Sequence, residues 1–127
     1  MTPDALNKFC GSLPHTHHLV QWGGADVWKV GRPEKGKFKM FCVAGLGGGD
    51  GRNGVTFHVS EIAFEMLKDT PGCRPAPYLA SRGMSWIQRF NDEGVSDKSL
   101  KEYITRSHEL MRAKLTKKLQ RELGMLV

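Results

Sequence analysis

At 127 residues, 39% of them hydrophobic and 25% charged, the chain is long enough to close one hydrophobic core and too short for two, and its composition excludes a disordered or fibrous class. No run approaches the roughly 18 apolar residues of a membrane span, and Met1 to Leu6 lacks a basic segment leading an apolar one, so one soluble domain in the cytoplasm, without membrane contact, is expected. The net charge of +6 is unevenly placed: residues 98 to 121 carry eight cations (Lys98, Lys101, Arg106, Arg112, Lys114, Lys117, Lys118, Arg121) against Glu102 and Glu109, which accounts for all of it. Attraction for an anionic partner should focus near that segment, although a solvated helix face explains such a run equally well.

Thr2 caps a first helix of about residues 3 to 11, with Pro3 at its first position, an apolar stripe of Ala5, Leu6, Phe9 and Cys10, and Gly11 as its stop. From His15 the pattern alternates, placing His18, Val20 and Trp22 on one face of a strand. Gly23-Gly24 turns into a short strand, Val27 to Val30, and Gly31 to Gly36 has the composition of a hairpin loop. Lys37 to Ala44 starts with lysines on one face and is apolar on both from Met40 to Val43, the mark of a central strand. A glycine-rich loop, Gly45 to Gly54, leads to Val55, Phe57 and Val59 facing inward, so the sheet continues as an antiparallel meander.

Ser60 caps a helix carrying Ile62, Ala63, Met66 and Leu67, which ends before Pro71-Gly72. Arg74 to Tyr78 holds Pro75 and Pro77 and is extended but weakly paired, whereas Ser85 to Phe90 reads as a strand. Ser96 then caps the longest helix, with Leu100, Tyr103, Ile104, Leu110, Met111 and Leu115 on one face. That phase fails near residue 115, so a break is expected there, with Thr116 capping a short terminal helix that buries Leu119 and Leu123.

Few residues offer chemistry. Gly31 to Lys37 nearly matches a P-loop, but Phe38 stands where the magnesium-binding hydroxyl belongs, Pro33 lacks a cradling N–H, and a strand follows. Gly45 to Gly51 lacks the third glycine of a dinucleotide fingerprint in every register. His15 and His17 would share a strand face, yet no Cys, Asp or Glu completes a metal site with them and His18. Cys10, Cys42 and Cys73 are widely spaced, as suits reduced thiols; Cys42 reads as core, and Cys73, beside Arg74, as the more exposed and more reactive thiol. The stretch from Gly72 to Gln88 sets Tyr78 and Trp86 among Arg74, Arg82 and Arg89, an arrangement suited to an anionic ligand or equally to a well-packed connection.

Here a family comes into view. Arg74-Pro-Ala-Pro-Tyr-Leu-Ala-Ser-Arg-Gly-Met-Ser-Trp-Ile, then Ser96-Asp97 opening a helix with Ser107-His108-Glu-Leu, then Lys114-Leu-Thr-Lys-Lys-Leu, resembles the C-terminal half of MmcQ/YjbR proteins. Trp28-Lys-Val, Lys39-Met-Phe and the helix entering Pro71-Gly72 extend the resemblance over almost the whole chain. Two positions depart from it: Gly83-Met84 stands where many members carry Arg-His, removing any role of that histidine, and Thr116 stands where many carry proline.

The resemblance implies a compact α+β fold with a CyaY-like antiparallel sheet packed against helices on one face. It also implies a double-wing mode of DNA binding with no enzymatic reaction. On this chain the wings are the 31 to 37 and 45 to 54 loops, so the expected DNA contacts are Arg32, Lys35, Lys37, Lys39, Arg52, Arg82, Lys117 and Lys118. The frataxin side of that fold handles iron on acidic surfaces; the first helix here has no acidic cluster. A monomeric, cofactor-free, metal-free, non-enzymatic DNA-binding protein is the leading expectation. The alternative is a small-molecule or protein interaction module around Arg74, Pro77, Tyr78, Arg82 and Trp86.

Overall fold

The computed structural model describes residues 1–46, 54–77 and 85–124. Helix α1, Pro3–Gly11, starts where Thr2 Oγ1 accepts the Ala5 N–H at 3.1 Å and buries Leu6 and Cys10. Strands β1 (Thr16–Gln21), β2 (Ala25–Arg32) and β3 (Lys37–Ala44) follow as a meander, and β4 (Val55–His58) pairs with β3. Helix α2, Glu61–Leu67, is capped by Ser60. Strands β5 (Cys73–Pro75) and β6 (Trp86–Arg89) then close the sheet, and the chain ends in helix α3, Asp97–Arg112, and helix α4, Lys117–Glu122.

Among the described residues the six strands form one antiparallel sheet in the order β1-β2-β3-β4-β6-β5. The meander therefore stops at β4, because β6 inserts beside it and leaves β5 on the edge. Pro75 explains that placement, since it has no N–H for a second neighbour. β1 forms the other edge and is largely exposed.

The main core lies between the sheet and the helices, built on Leu6, Trp28, Val30, Phe41, Cys42, Phe57, Leu67, Ile87, Leu100 and Ile104. Phe41 and Cys42 both enter it because a bulge interrupts the β2–β3 register: Trp28 pairs with Cys42 but Lys29 with Met40, so Phe41 has no partner across the ladder. Ser107 Oγ on α3 donates to the Phe41 carbonyl at 2.7 Å and accepts the His58 N–H at 2.9 Å, tying α3 to β3 and β4 at that point.

Three expectations need correction, and the bounds of one hairpin are narrower than expected. In α2, Ala63 and Leu67 face the core as expected, but Ile62 and Met66 are 85% and 60% exposed and Phe64 takes their place. His15 precedes β1 in a left-handed conformation, φ 56°, so it shares no strand face with His17, and Trp22 likewise leaves the strand at φ 50°. The hairpin expected at 31 to 36 is present but shorter: β2 runs through Arg32, Pro33–Lys35 forms one 3-10 turn, and Gly36 closes it at φ 68°. Cys73 is buried, and desolvation raises its pKa more than neighbouring Arg89 lowers it, which disfavours the reactive thiolate.

Candidate nucleic-acid interface

Cross-strand partners share a face of a sheet, so the β2–β3 register places the hairpin cations. Val30 pairs with Lys39 and Arg32 with Lys37, which puts Arg32, Lys37 and Lys39 on the face that Val30 buries against the helices, beyond the last helix-covered residue. Lys35 is exposed at the turn. Arg32 meets Glu34 only loosely, at 3.8 Å. Lys29 points to the opposite face, where its Nζ lies 4.2 Å from the centroid of the Phe38 ring.

The C-terminal cations arrive at the same end. His108 Nε2 donates to the Pro14 carbonyl at 2.8 Å, two residues before Thr16, and Thr16 pairs with Val30, itself the partner of Lys39. The His15 carbonyl accepts the Gly31 N–H at 3.1 Å, fastening the turn before β1 to the hairpin. Arg112, in the last turn of α3, lines a cavity with Pro14, His15, His108 and Gly124. Lys114 lies close enough to His58, at the hairpin-side end of β4, to help lower its pKa to about 4, burial being the larger cause.

Helix α4 starts from this corner. Thr116 Oγ1 accepts the Leu119 N–H at 3.2 Å, and Leu115, Leu119 and Leu123 form a small core of their own, so Lys117, Lys118 and Arg121 remain exposed. The opposite end of the sheet carries paired charges. Asp26 is there, opposite Ala44, and Asp97 opens α3, where Arg89 Nη2 at 2.8 Å holds its carboxyl below the usual range.

The loop from Gly45 to Gly54 opens at that opposite end, closed by a Gly45 N–H to Gly54 carbonyl bond of 2.9 Å. The two loops implied as wings therefore leave β3 at opposite ends, roughly 25 Å apart for an eight-residue strand at about 3.3 Å per residue. Arg52, Tyr78 and Arg82 lie outside the described residues. Of the alternative ligand set, Arg74 Nε donates to Gln88 Oε1 at 2.8 Å, and Trp86 is 2% exposed with its ring against His58, so its area is committed to the core.

His17 Nε2 bonds the Gly31 carbonyl at 2.9 Å, while His18 Nε2 meets Asp26 at 2.8 Å and its ring lies tilted against Trp28, centroids 4.9 Å apart. Among the described residues, no group of three or more His, Cys, Asp or Glu side chains is placed to hold a metal ion. No described helix is long and apolar enough to cross a membrane. Sequence reasoning missed Ser107 and His108 as inward-facing residues; their spacing of three and four from Ile104 was the available signal.

The family model named YjbR matches residues 11–110. The chain belongs to the YjbR family. Among solved structures, the crystal structure of Deinococcus radiodurans protein DR2400, whose family-model domain is DUF419, is 23% identical and superposes with a TM-score of 0.78, over 99% of this chain and 91% of that one. That likeness shows a shared fold. No curated protein matches. The match covers the β2–β3 hairpin and α3 to within two residues of its end, and Lys114 and α4 fall beyond it.

Proposed function

We propose that this YjbR-family protein is a non-enzymatic DNA-binding protein that grips phosphates with one basic end. One observation carries the reading: the hairpin cations Arg32, Lys35, Lys37 and Lys39 and the C-terminal cations Lys114, Lys117 and Lys118 come from distant parts of the sequence yet lie at the same end. A solvated helix face explains the second set and not the first. Phosphate contacts of this kind give affinity and orientation without reading bases, so sequence-independent binding is expected.

The experiment is binding to random duplex DNA across a salt series. With four to six of these cations on phosphates, log K against log salt should fall with a slope of about −4 to −5, at roughly −0.9 per contact. Absence of binding at 50 mM salt, or a slope near zero, removes the proposal.

A further inference from the structure

The two edges of the sheet are built differently. β5, at one edge, is three residues long and contains Pro75, which has no N–H to offer a further strand. β1, at the other, runs six residues, exposed at every position after Thr16, with an unbroken register against β2 and no proline. No Lys, Arg, Asp or Glu stands between Lys8 and Asp26, in a chain of which 25% is charged. Charges, prolines, bulges and short length are the means by which proteins keep an edge from pairing, and β1 has none of them. Leu19, Val20 and Trp22, 44%, 62% and 56% exposed, lie in or just past this strand, three of the five large apolar residues exposed among the described residues.

The ladder shows which backbone groups are open. The Gly31 N–H bonds the His15 carbonyl, and opposed residues of an antiparallel pair are hydrogen-bonded alternately. His17, Leu19 and Gln21 therefore bond β2, while Thr16, His18 and Val20 turn their N–H and C=O groups outward. Among the described residues no strand lies beyond them.

We infer, against the monomer expected from the sequence, that β1 pairs with β1 of a second copy, antiparallel about a two-fold axis through His18, giving a weak dimer with one continuous sheet. This register sets Thr16 opposite Val20 of the second copy and His18 opposite itself, so all three outward-facing residues exchange both hydrogen bonds with their partners. An axis through residue 17 or 19 leaves one of the three outside the partner strand. Charge selects a copy of this chain as the occupant. An edge without fixed charge meets itself without repulsion, and antiparallel pairing sets the basic hairpin end of each copy beside the Asp26 end of the other instead of beside its like. Six residues against six is smaller than the roughly 20–30 a side of a standard interface, so the dimer forms reversibly and only at high concentration.

The test is sedimentation of the full chain from about 10 µM to about 1 mM, without nucleic acid. The parent mass should rise from 14.2 kDa towards twice that value. Val20→Pro removes an outward N–H that β2 does not use, so the fold is kept and the dimer is lost. His18→Lys and His18→Glu each set like charges opposite one another across the axis, and each alone should stay at 14.2 kDa. Mixed together, the two should give a one-to-one dimer, an outcome that depends on this register and on nothing within one copy. Thermal unfolding checks that each variant folds, and Val20→Lys, at an exposed side chain, takes the place of any that does not.

A parent that stays at 14.2 kDa at the highest concentration overturns the inference and leaves the edge to an extended segment of another protein. Folded variants that associate as the parent does place the contact elsewhere and overturn it too. So do masses beyond two copies, which mean open-ended pairing of edges. The DNA measurement is independent: its failure leaves this dimer standing, and a monomeric parent leaves the DNA-binding reading standing.

Discussion

Replacing Ser107 with alanine should cost about 3 kcal/mol of stability, because one hydroxyl serves two backbone groups at once, the Phe41 carbonyl and the His58 N–H. The β2–β3 bulge leaves Phe41 outside the ladder, so its buried carbonyl depends on the 2.7 Å bond from Ser107 Oγ. The same oxygen accepts the half-buried His58 N–H at 2.9 Å. A buried group left unpaired costs about 1–3 kcal/mol; taking about 2 for the carbonyl and about 1 for the more accessible N–H gives the sum. For a domain of this size each kcal/mol shifts the melting temperature by roughly 3–5 °C, so a drop of about 10 °C is expected. Urea denaturation and thermal unfolding followed by circular dichroism measure it. Thr105→Ala is the control: that hydroxyl bonds only the Lys101 carbonyl of its own helix, and its loss should stay within about 0.5 kcal/mol. A Ser107→Ala variant less than 1 kcal/mol below the parent refutes the view that this hydroxyl pins α3 to the bulge.

Two further outcomes follow from the same end of the molecule. Burial, and then Lys114, hold the His58 pKa near 4, below its ordinary value of about 6.5. Between those pH values the unfolded chain binds more protons than the folded one. The stability of the neutral imidazole is therefore full above about pH 6.5 and is lost as the pH falls towards 4. His108 is depressed in the same direction by burial, so the comparison is made by difference: His58→Gln should flatten the urea midpoint between pH 4.5 and 6.5, and an unchanged slope counts against a buried neutral His58. For DNA binding, Lys35, Lys37 and Lys39 changed together to Gln should flatten the salt slope by up to about 2.7. Lys114, Lys117 and Lys118 changed together should do likewise, as expected of one interface. Should one triple abolish binding and the other leave it untouched, the shared interface is wrong.

Local chemistry made the helix starts legible in the sequence. Thr2, Ser60, Ser96 and Thr116 each carry an oxygen that reaches an N–H three residues on, a relation requiring no knowledge of the rest of the chain. The phase failure near Leu115 was readable for the same reason, and α4 begins where it pointed. The inner face of α2 was not readable, because seven residues admit two apolar phases and only packing decides between them. The bulge at Phe41 was hidden by the apolar run from Met40 to Val43, in which a slip of one residue changes nothing visible in the pattern. Ser107 and His108 are polar and give no apolar signal for the inner face; their partners are carbonyls at positions 41 and 14, which only the tertiary fold brings near. At the site, the cations could be counted and grouped in advance, but not brought together.

Their meeting is a matter of lengths. In an antiparallel meander successive hairpins open at alternate ends, so the β2–β3 and β3–β4 loops cannot share one. The sixteen residues of α3 span about 24 Å at 1.5 Å each, and the eight of β3 about 26 Å. A helix that starts beside Arg89 at the far end of the sheet therefore delivers its C-terminus to the hairpin end. The helix dipole favours Asp97 at one terminus and Arg112 at the other, so those charges stabilise the fold whether or not a ligand exists. The hairpin owes nothing to that dipole. A bare 3-10 turn gains no stability from Lys35 or from the exposed Lys37 and Lys39, and like charges crowded at one end repel. On the DNA-binding reading an anionic partner would compensate that repulsion, and the hairpin lysines are accordingly the residues whose replacement weighs most on it.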